Sequence, residues 1–277
     1  MNGKIRRHLH HGRRILALAL NGDTPGKVSA LLTSAGFGPS EVIVMEALGG
    51  GRERIRRTPA ETFNFADVDP LTIIGVNVIA GPDARPIAFS GGLADDYFEN
   101  DGQLTKREIR AVTLSSLRPG AGELLWDIGA GSGSIGIEWL LAHPANTAIG
   151  IERNPERAAR AVRNAISLGV PHLEITTGAA LEAVRELPTP DAIFIGCGTG
   201  GGDLIKACWS ALKPGGRIVA NAVTIESELG LLAAYHGHGG TLTRLSVERA
   251  EPVGRQTTWR PALPVVQWVA QKPAGTS

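Results

Sequence analysis

Between residues 125 and 136 the chain reads Leu125-Trp126-Asp127-Ile128-Gly129-Ala130-Gly131-Ser132-Gly133-Ser134-Ile135-Gly136. An apolar, strand-like run enters a glycine turn, and the turn opens a helix. Residues without side chains let a ligand approach the backbone, and the free N–H groups at a helix start favour a carboxylate or a phosphate. Glu152 ends the next apolar run, where a carboxylate can accept hydrogen bonds from both hydroxyls of a ribose. Two ligands fit this arrangement. Gly131-x-Gly133-x-x-Gly136 matches the dinucleotide fingerprint and keeps a nicotinamide cofactor and an oxidoreductase in view. The longer pattern Asp127-x-Gly129-x-Gly131-x-Gly133 leaves a second ligand open. A loop that serves only strand–helix packing would use the same glycines.

The elements around the loop predict a layered α/β fold. A helix over Leu104–Leu117 precedes strand Leu124–Ile128, helix Ser134–Ala142, strand Ala148–Ile151 and helix Pro155–Leu168. Strand Leu173–Thr177, helix Leu181–Leu187, strand Ala192–Gly196, helix Leu204–Leu212, strand Arg217–Ala220 and helix Glu226–Tyr235 follow. Two alternating runs, Thr241–Val247 and Leu263–Ala270, close the chain around a polar arm. Such βα units ending in a hairpin-like pair predict a doubly wound, Rossmann-like sheet with an antiparallel edge strand. With 277 residues, at roughly 150 per domain the chain holds one large domain or two modest ones. A run rich in proline and glycine over 81–92 reads as a linker between residues 1–80 and 93–277. Residues 1–80 read as a small α/β half-domain of strand, helix, strand, helix, strand. Asp23 or Thr24 caps its first helix, that helix ends at Gly36, and Thr58-Pro59 starts the second.

The motif Asp127-x-Gly129-x-Gly131-x-Gly133 resembles that of class I methyltransferases dependent on S-adenosylmethionine. Asn154-Pro155 after Glu152, Gly178-Ala179-Ala180 after the third strand and Leu212-Lys213-Pro214-Gly215-Gly216 before the fifth support that likeness. The resemblance assigns Gly129, Gly131 and Gly133 to the methionine and ribose portions of the cofactor. It gives Glu152 the ribose hydroxyls and Ala179 and Ala180 the adenine edge, with Asp127, Ala130, Ser132 and Arg153 as flanking contacts. Further motifs narrow the family. Thr105-Lys106-Arg107-Glu108-Ile109-Arg110, the run Ile195-Gly196-Cys197-Gly198-Thr199-Gly200-Gly201-Gly202 and Val253-Gly254-Arg255 through Trp259-Arg260-Pro261 are similar to the decarboxylating precorrin methyltransferases of cobalamin biosynthesis. Those enzymes methylate C15 of a precorrin-6 type tetrapyrrole and remove the carboxyl group of its ring-C acetate. By the same resemblance Thr105 reaches the cofactor, although Thr105 and Glu108 also form a capping box. A homotetramer is implied as well. Residues 1–80 are similar to the second half of the tetrapyrrole methylase that acts at C5. A full site in that fold needs both halves, so no C5 activity is expected from residues 1–80. A methyltransferase for another small molecule or for RNA is the neighbouring alternative.

A polycarboxylate substrate needs local cations. Lys106, Arg107, Arg110, Arg255 and Arg260 are the candidates, because the arginine fork suits carboxylates. Glu108 is the candidate proton donor for decarboxylation. Lys plus Arg 28 against Asp plus Glu 27 gives a net charge of +1, which argues against general nucleic-acid coating. His8, His10 and His11 read as part of an exposed basic terminus, and no metal site is expected. The apolar run Ile15–Leu20 is far short of the ~20 residues a membrane span requires. Two cysteines, Cys197 and Cys208, make no disulfide framework, and Cys197 reads as a small buried side chain. A cytoplasmic, reduced setting is expected.

Overall fold

The structure is a computed structural model and describes residues 2–196 and 202–275. The chain divides into two compact units, Met1–Ala88 with Ser167–Gly169, and Phe89–Ile166 with Val170–Ser277.

In the second unit, apolar runs without alternation become strands covered on both faces. They are β5 (Leu124–Ile128), β6 (Thr147–Glu152), β8 (Ala192–Ile195) and β9 (Arg217–Ala222), with the less buried β7 (Glu174–Thr177) beside β6. The two remaining strands, β10 (Thr241–Leu245) and β13 (Val265–Gln271), complete a seven-stranded sheet of order β10-β13-β9-β8-β5-β6-β7. The five strands from β9 to β7 run parallel, whereas β13 is antiparallel to both β9 and β10. The antiparallel margin therefore has two strands, and the later of them in sequence, β13, lies inside it. Helices α3 (Arg107–Leu117), α4 (Ser134–Ala142), α5 (Pro155–Ser167), α6 (Ala180–Ala183), α7 (Asp203–Ala211) and α8 (Ile225–His238) link the strands. Trp126, Ile128, Ile151, Ile193, Ile195, Ile218 and Trp268 form the centre of the core. Each such side chain stabilises the fold by roughly 1.5–3 kcal/mol. The polar arm folds into a hairpin of β11 (Glu248–Val253) and β12 (Gln256–Pro261), every residue of β12 being exposed.

The first unit departs from the sequence expectation. Its strands β1 (Arg14–Leu18), β2 (Glu41–Glu46), β3 (Arg54–Pro59) and β4 (Thr72–Asn77) form a sheet of order β1-β4-β2-β3 in which every pair is antiparallel. Helices α1 (Asn2–Arg6) and α2 (Thr24–Ser34) accompany them. Thr58-Pro59 ends a strand and leads into a single turn, Ala60–Thr62, so the expected second helix does not form. Register explains this: Thr58 and Pro59 pair with Val42 and Glu41 of β2, while Arg54 and Arg56, alternating on β3, both fork onto the buried carboxylate of Glu46. The expected cap is corrected too. Asp23 makes no capping bond. Thr24 Oγ1 instead accepts the N–H groups of Leu20 and Asn21 at 3.1 and 3.2 Å. The helix does stop at Gly36, whose φ of +81° and 2.4 Å approach of any Cβ to the Asp83 carbonyl exclude other residues. Among the described residues, no helix is long and apolar enough to cross a membrane.

Candidate functional site

The glycine loop leaves the carboxyl end of β5, the edge where parallel α/β sheets take ligands. Gly129, Gly131 and Gly133 have φ of +78°, +57° and +77°. This left-handed backbone folds the loop back over the sheet, where the N–H groups of Gly129 and Ala130 both meet the Ile151 carbonyl, at 2.9 and 3.0 Å. Burial alternates as a result: Gly129 and Gly131 are partly open, while Ala130, Ser132 and Gly133 face inward. A Cβ on Gly133 would stand 3.0 Å from that of Ala161, so this glycine serves close helix packing, whereas nothing lies within 3.7 Å of the same point on Gly131.

Two carboxylates brace the loop. Glu152, at the end of β6, accepts the N–H of Gly131 on one oxygen at 2.9 Å and that of Asn154 on the other at 2.8 Å. Asp127 is buried beneath the loop; its Oδ2 accepts the Gly136 N–H at 2.9 Å, and its Oδ1 is buried without a partner. Burial pushes the Asp127 carboxyl up to about 7, against the pull of the Gly136 N–H and with help from the charge of Glu152. Asp127 was expected to flank the ligand; at 1 % exposure it supports the loop from below instead.

Other expected residues surround this edge. Gly178 donates its N–H to the Glu152 carbonyl at 3.1 Å, which sets Ala179 and Ala180 beside the end of β6, exposed and half-buried. Arg153 is exposed. Thr105 is half-buried just ahead of α3, where Lys106 is the cap residue and no side chain caps the helix, so the capping box is not formed. The Gln103 carbonyl lies 3.7 Å from the Cβ point of Gly131, bringing the segment before α3 against the loop. Cys197 and Gly198–Gly201 lie outside the described residues.

The cations separate into two groups. Lys106, Arg255 and Arg260 are exposed, Arg260 pairing with Glu251 at 3.1 Å. Arg107 donates to the Gly92 carbonyl at 3.1 Å. Arg110, expected to bind substrate, does not reach solvent. It is fully buried, donates to Glu138, Asp95 and the carbonyls of Thr105 and Leu93, and covers the Phe98 ring at 4.7 Å. Its role is to hold the entry segment in place. Sequence did carry a signal for this, since Arg110, Thr113, Leu114 and Leu117 share one helical stripe and all are buried. Glu138 and Asn164, both buried, were not foreseen. Glu108 pairs with Arg249 of the arm. Burial pushes its carboxyl up, but its own backbone N–H and Arg249 outweigh that and hold it below its usual value. An ionised Glu108 has no proton to donate, so the free protein gives the donor role no support.

This cradle fits an adenosyl cofactor. Gly131 offers backbone without a side chain, Glu152 keeps further lone pairs for hydroxyl donors, and the bare Asp127 oxygen marks an electrostatic environment not fully met by the protein. A family model described as "Precorrin methyltransferase domain" matches residues 96–272. The chain belongs to the precorrin methyltransferase domain family. It is 51% identical over 264 residues to a precorrin-6Y C(5,15)-methyltransferase [decarboxylating] of a Sinorhizobium species, covering 95% of this chain and 64% of that protein. A probable cobalt-precorrin-6B C(15)-methyltransferase (decarboxylating) of Pyrobaculum calidifontis is 34% identical over 187 residues, 63% of this chain and 92% of that one. The crystal structure of the C-terminal domain of precorrin-6Y C5,15-methyltransferase from Rhodobacter capsulatus superposes with a TM-score of 0.64 at 43% identity, over 67% of this chain and 100% of that domain. The chain thus spans 64–66% of the length of its precorrin-6Y relatives, and the domain family coincides with the second unit. The fold of that unit is the Rossmann-like methyltransferase sheet expected from the sequence.

Proposed function

We propose that the second unit is an S-adenosylmethionine-dependent methyltransferase that methylates C15 of a precorrin-6 type tetrapyrrole and decarboxylates its ring-C acetate. The observation that carries this reading is the glycine loop braced by Glu152, in a chain 51% identical to a decarboxylating precorrin methyltransferase. Gly129 and Gly131 would hold the methionine and ribose portions, Glu152 the ribose hydroxyls, and Ala179 and Ala180 the adenine edge, with Thr105 and Arg153 alongside. When bound, S-adenosylmethionine supplies a methyl group on a sulfonium, open to attack by a carbon nucleophile.

The chain's own contribution is alignment, which is worth up to ~7–11 kcal/mol when complete. Lys106, Arg255 and Arg260, exposed on the entry segment and the arm, would receive the carboxylates of the macrocycle; charge-assisted, two-point bonds would set its orientation. Trp259, 68% exposed on β12, offers a face for the ring. The macrocycle itself takes up the electron pair left when CO₂ departs. We place the chain in the cytoplasm as a homotetramer. The free thiol of Cys208, pushed up to about 12 by burial, is unreactive there.

The deciding experiment gives the purified chain S-adenosylmethionine and a precorrin-6 type substrate. One added methyl group at C15, with loss of CO₂, is the expected product by mass spectrometry and carbon NMR. Binding of NAD in preference to the sulfonium cofactor, or cofactor binding without turnover of this substrate, overturns the reading.

A further inference from the structure

The segment between Gly92 and Thr105 is nearly devoid of regular structure, yet it is fastened at three places. At its base, Glu138 of α4 accepts the N–H groups of Gly92 and Leu93 at 2.5 and 3.1 Å, and Arg110 grips Leu93, Asp95 and Thr105. Along its outer side, Asp101 pairs with Arg157 and Arg160 at 2.8 and 3.1 Å, and Glu99 pairs with Arg163 at 2.5 Å. These arginines recur every three residues on α5 and so present one face.

The third fastening differs in kind. Asn164, 3% exposed on α5, accepts the Glu99 N–H on Oδ1 and donates from Nδ2 to the Glu99 carbonyl, both at 2.9 Å. The same Nδ2 donates to the carbonyl of Ser132, also at 2.9 Å. Ser132 lies inside the glycine loop, between Gly131 and Gly133. One buried amide therefore ties the middle of the segment to the middle of the loop. A few residues further along, the Gln103 carbonyl reaches the open side of Gly131. Left-handed glycines do not hold a conformation by themselves, so the loop's shape must come from its tethers. Glu152 supplies the tether at Gly131 and Asn164 the one at Ser132.

We propose that Asn164 is a positioning residue of the cofactor site, clamping residues 92–105 to Ser132 and so holding the glycine loop in its binding shape. This rests on the adenosyl-cofactor reading above. The Arg163 pair is exposed and contributes little alone, and the Arg157 and Arg160 pairs are half-buried, whereas a buried amide that serves three backbone groups has no water to replace it.

The test uses the full chain and calorimetric titration with S-adenosylhomocysteine, together with amide hydrogen exchange on the free protein. Asn164→Ala and the isosteric Asn164→Asp, which loses both donors, should each weaken binding about tenfold. In both variants the amides of Glu99 and Gly131 should exchange faster. In turnover the cofactor KM should rise with kcat little changed. Arg163→Ala should alter affinity less than twofold. Should the alanine variant not fold, the aspartate variant carries both measurements. Unchanged affinity together with unchanged exchange at Gly131 overturns the proposal. Absence of binding by the parent chain overturns the cofactor reading instead, and linked exchange of Glu99 and Gly131 then still decides whether the clamp exists.

Discussion

Two buried carboxylates, one in each unit, are treated in opposite ways. Glu46 in the first unit meets both forks of Arg54 and Arg56 and the N–H of Asp69. Burial pushes its carboxyl up, but these donors prevail and bring it to about 2. Asp127 in the second unit meets one N–H, keeps a bare oxygen, and rises to about 7. A buried acid surrounded by donors is a fastener of the fold. One left short of donors, beneath a loop of left-handed glycines, is the pattern that marks a candidate ligand site. The contrast also explains why Glu46, despite lining a cleft with Arg52 and Arg54, is no functional candidate.

The comparison would be broken most severely through Glu46. Glu46→Ala leaves two guanidinium groups facing each other without their anion and should destabilise the first unit by about 3 kcal/mol in urea unfolding. A midpoint unchanged within error would mean that the forks hold nothing. Next in size is Glu152→Ala, which removes the tether of Gly131 and the expected ribose acceptor together. Cofactor affinity should fall by one to two decades, about 2 kcal/mol, with titration calorimetry as the check; stability should change much less.

Acidity sharpens the same contrast. The Glu46 contribution is present above its unfolded value near 4.5 and is lost as pH falls through about 2. Asp127 has the opposite sign, its folded value lying above its unfolded one. Its contribution is complete below 3.8 and is lost as pH rises through about 7. Between those two values, unfolding of the second unit should therefore show a stability loss with rising pH that Asp127→Asn abolishes. A variant with the parent's pH slope would assign that slope to another group. The smallest effect belongs to the arm: Arg260→Ala, which breaks an exposed pair with Glu251, should shift stability by less than about 0.5 kcal/mol. If Arg260 also receives a substrate carboxylate, the macrocycle KM should rise while the melting temperature stays in place.

Legibility in the sequence followed the same division. Strand β5 and helix α4 begin and end where the glycine punctuation and apolar runs say they should, because a parallel strand covered on both faces has no competing pattern. Glu152 and the loop glycines were legible for the same reason. The first unit was harder. Arg54 and Arg56 alternate correctly for a strand, but four arginines within six residues disguise the alternation, and their partner Glu46, eight and ten residues earlier across the β2–β3 turn, is not marked as such by any residue pattern. Thr58-Pro59 then imitates a helix start. Arg110 was misread because its residue type suggests a solvent-facing anion binder, whereas its position on the helix puts it in the buried stripe. Asn164 could not have been found at all: it acts on backbone atoms of two separate segments, and backbone atoms leave no trace in a residue pattern.

The placement of β13 between β9 and β10 has a consequence for how the second unit is made. Until Val265–Gln271 leaves the ribosome, β10 has no neighbour to pair with and the outer edge of β9 stays open. The parallel half of the sheet and its glycine loop are synthesised first, yet the layer that supports them is completed only by the last strand. Such non-local closure is slow, and during the interval the exposed edge of β9 invites mispairing with other nascent chains. The open edge of the sheet therefore persists until β13 has paired with β9.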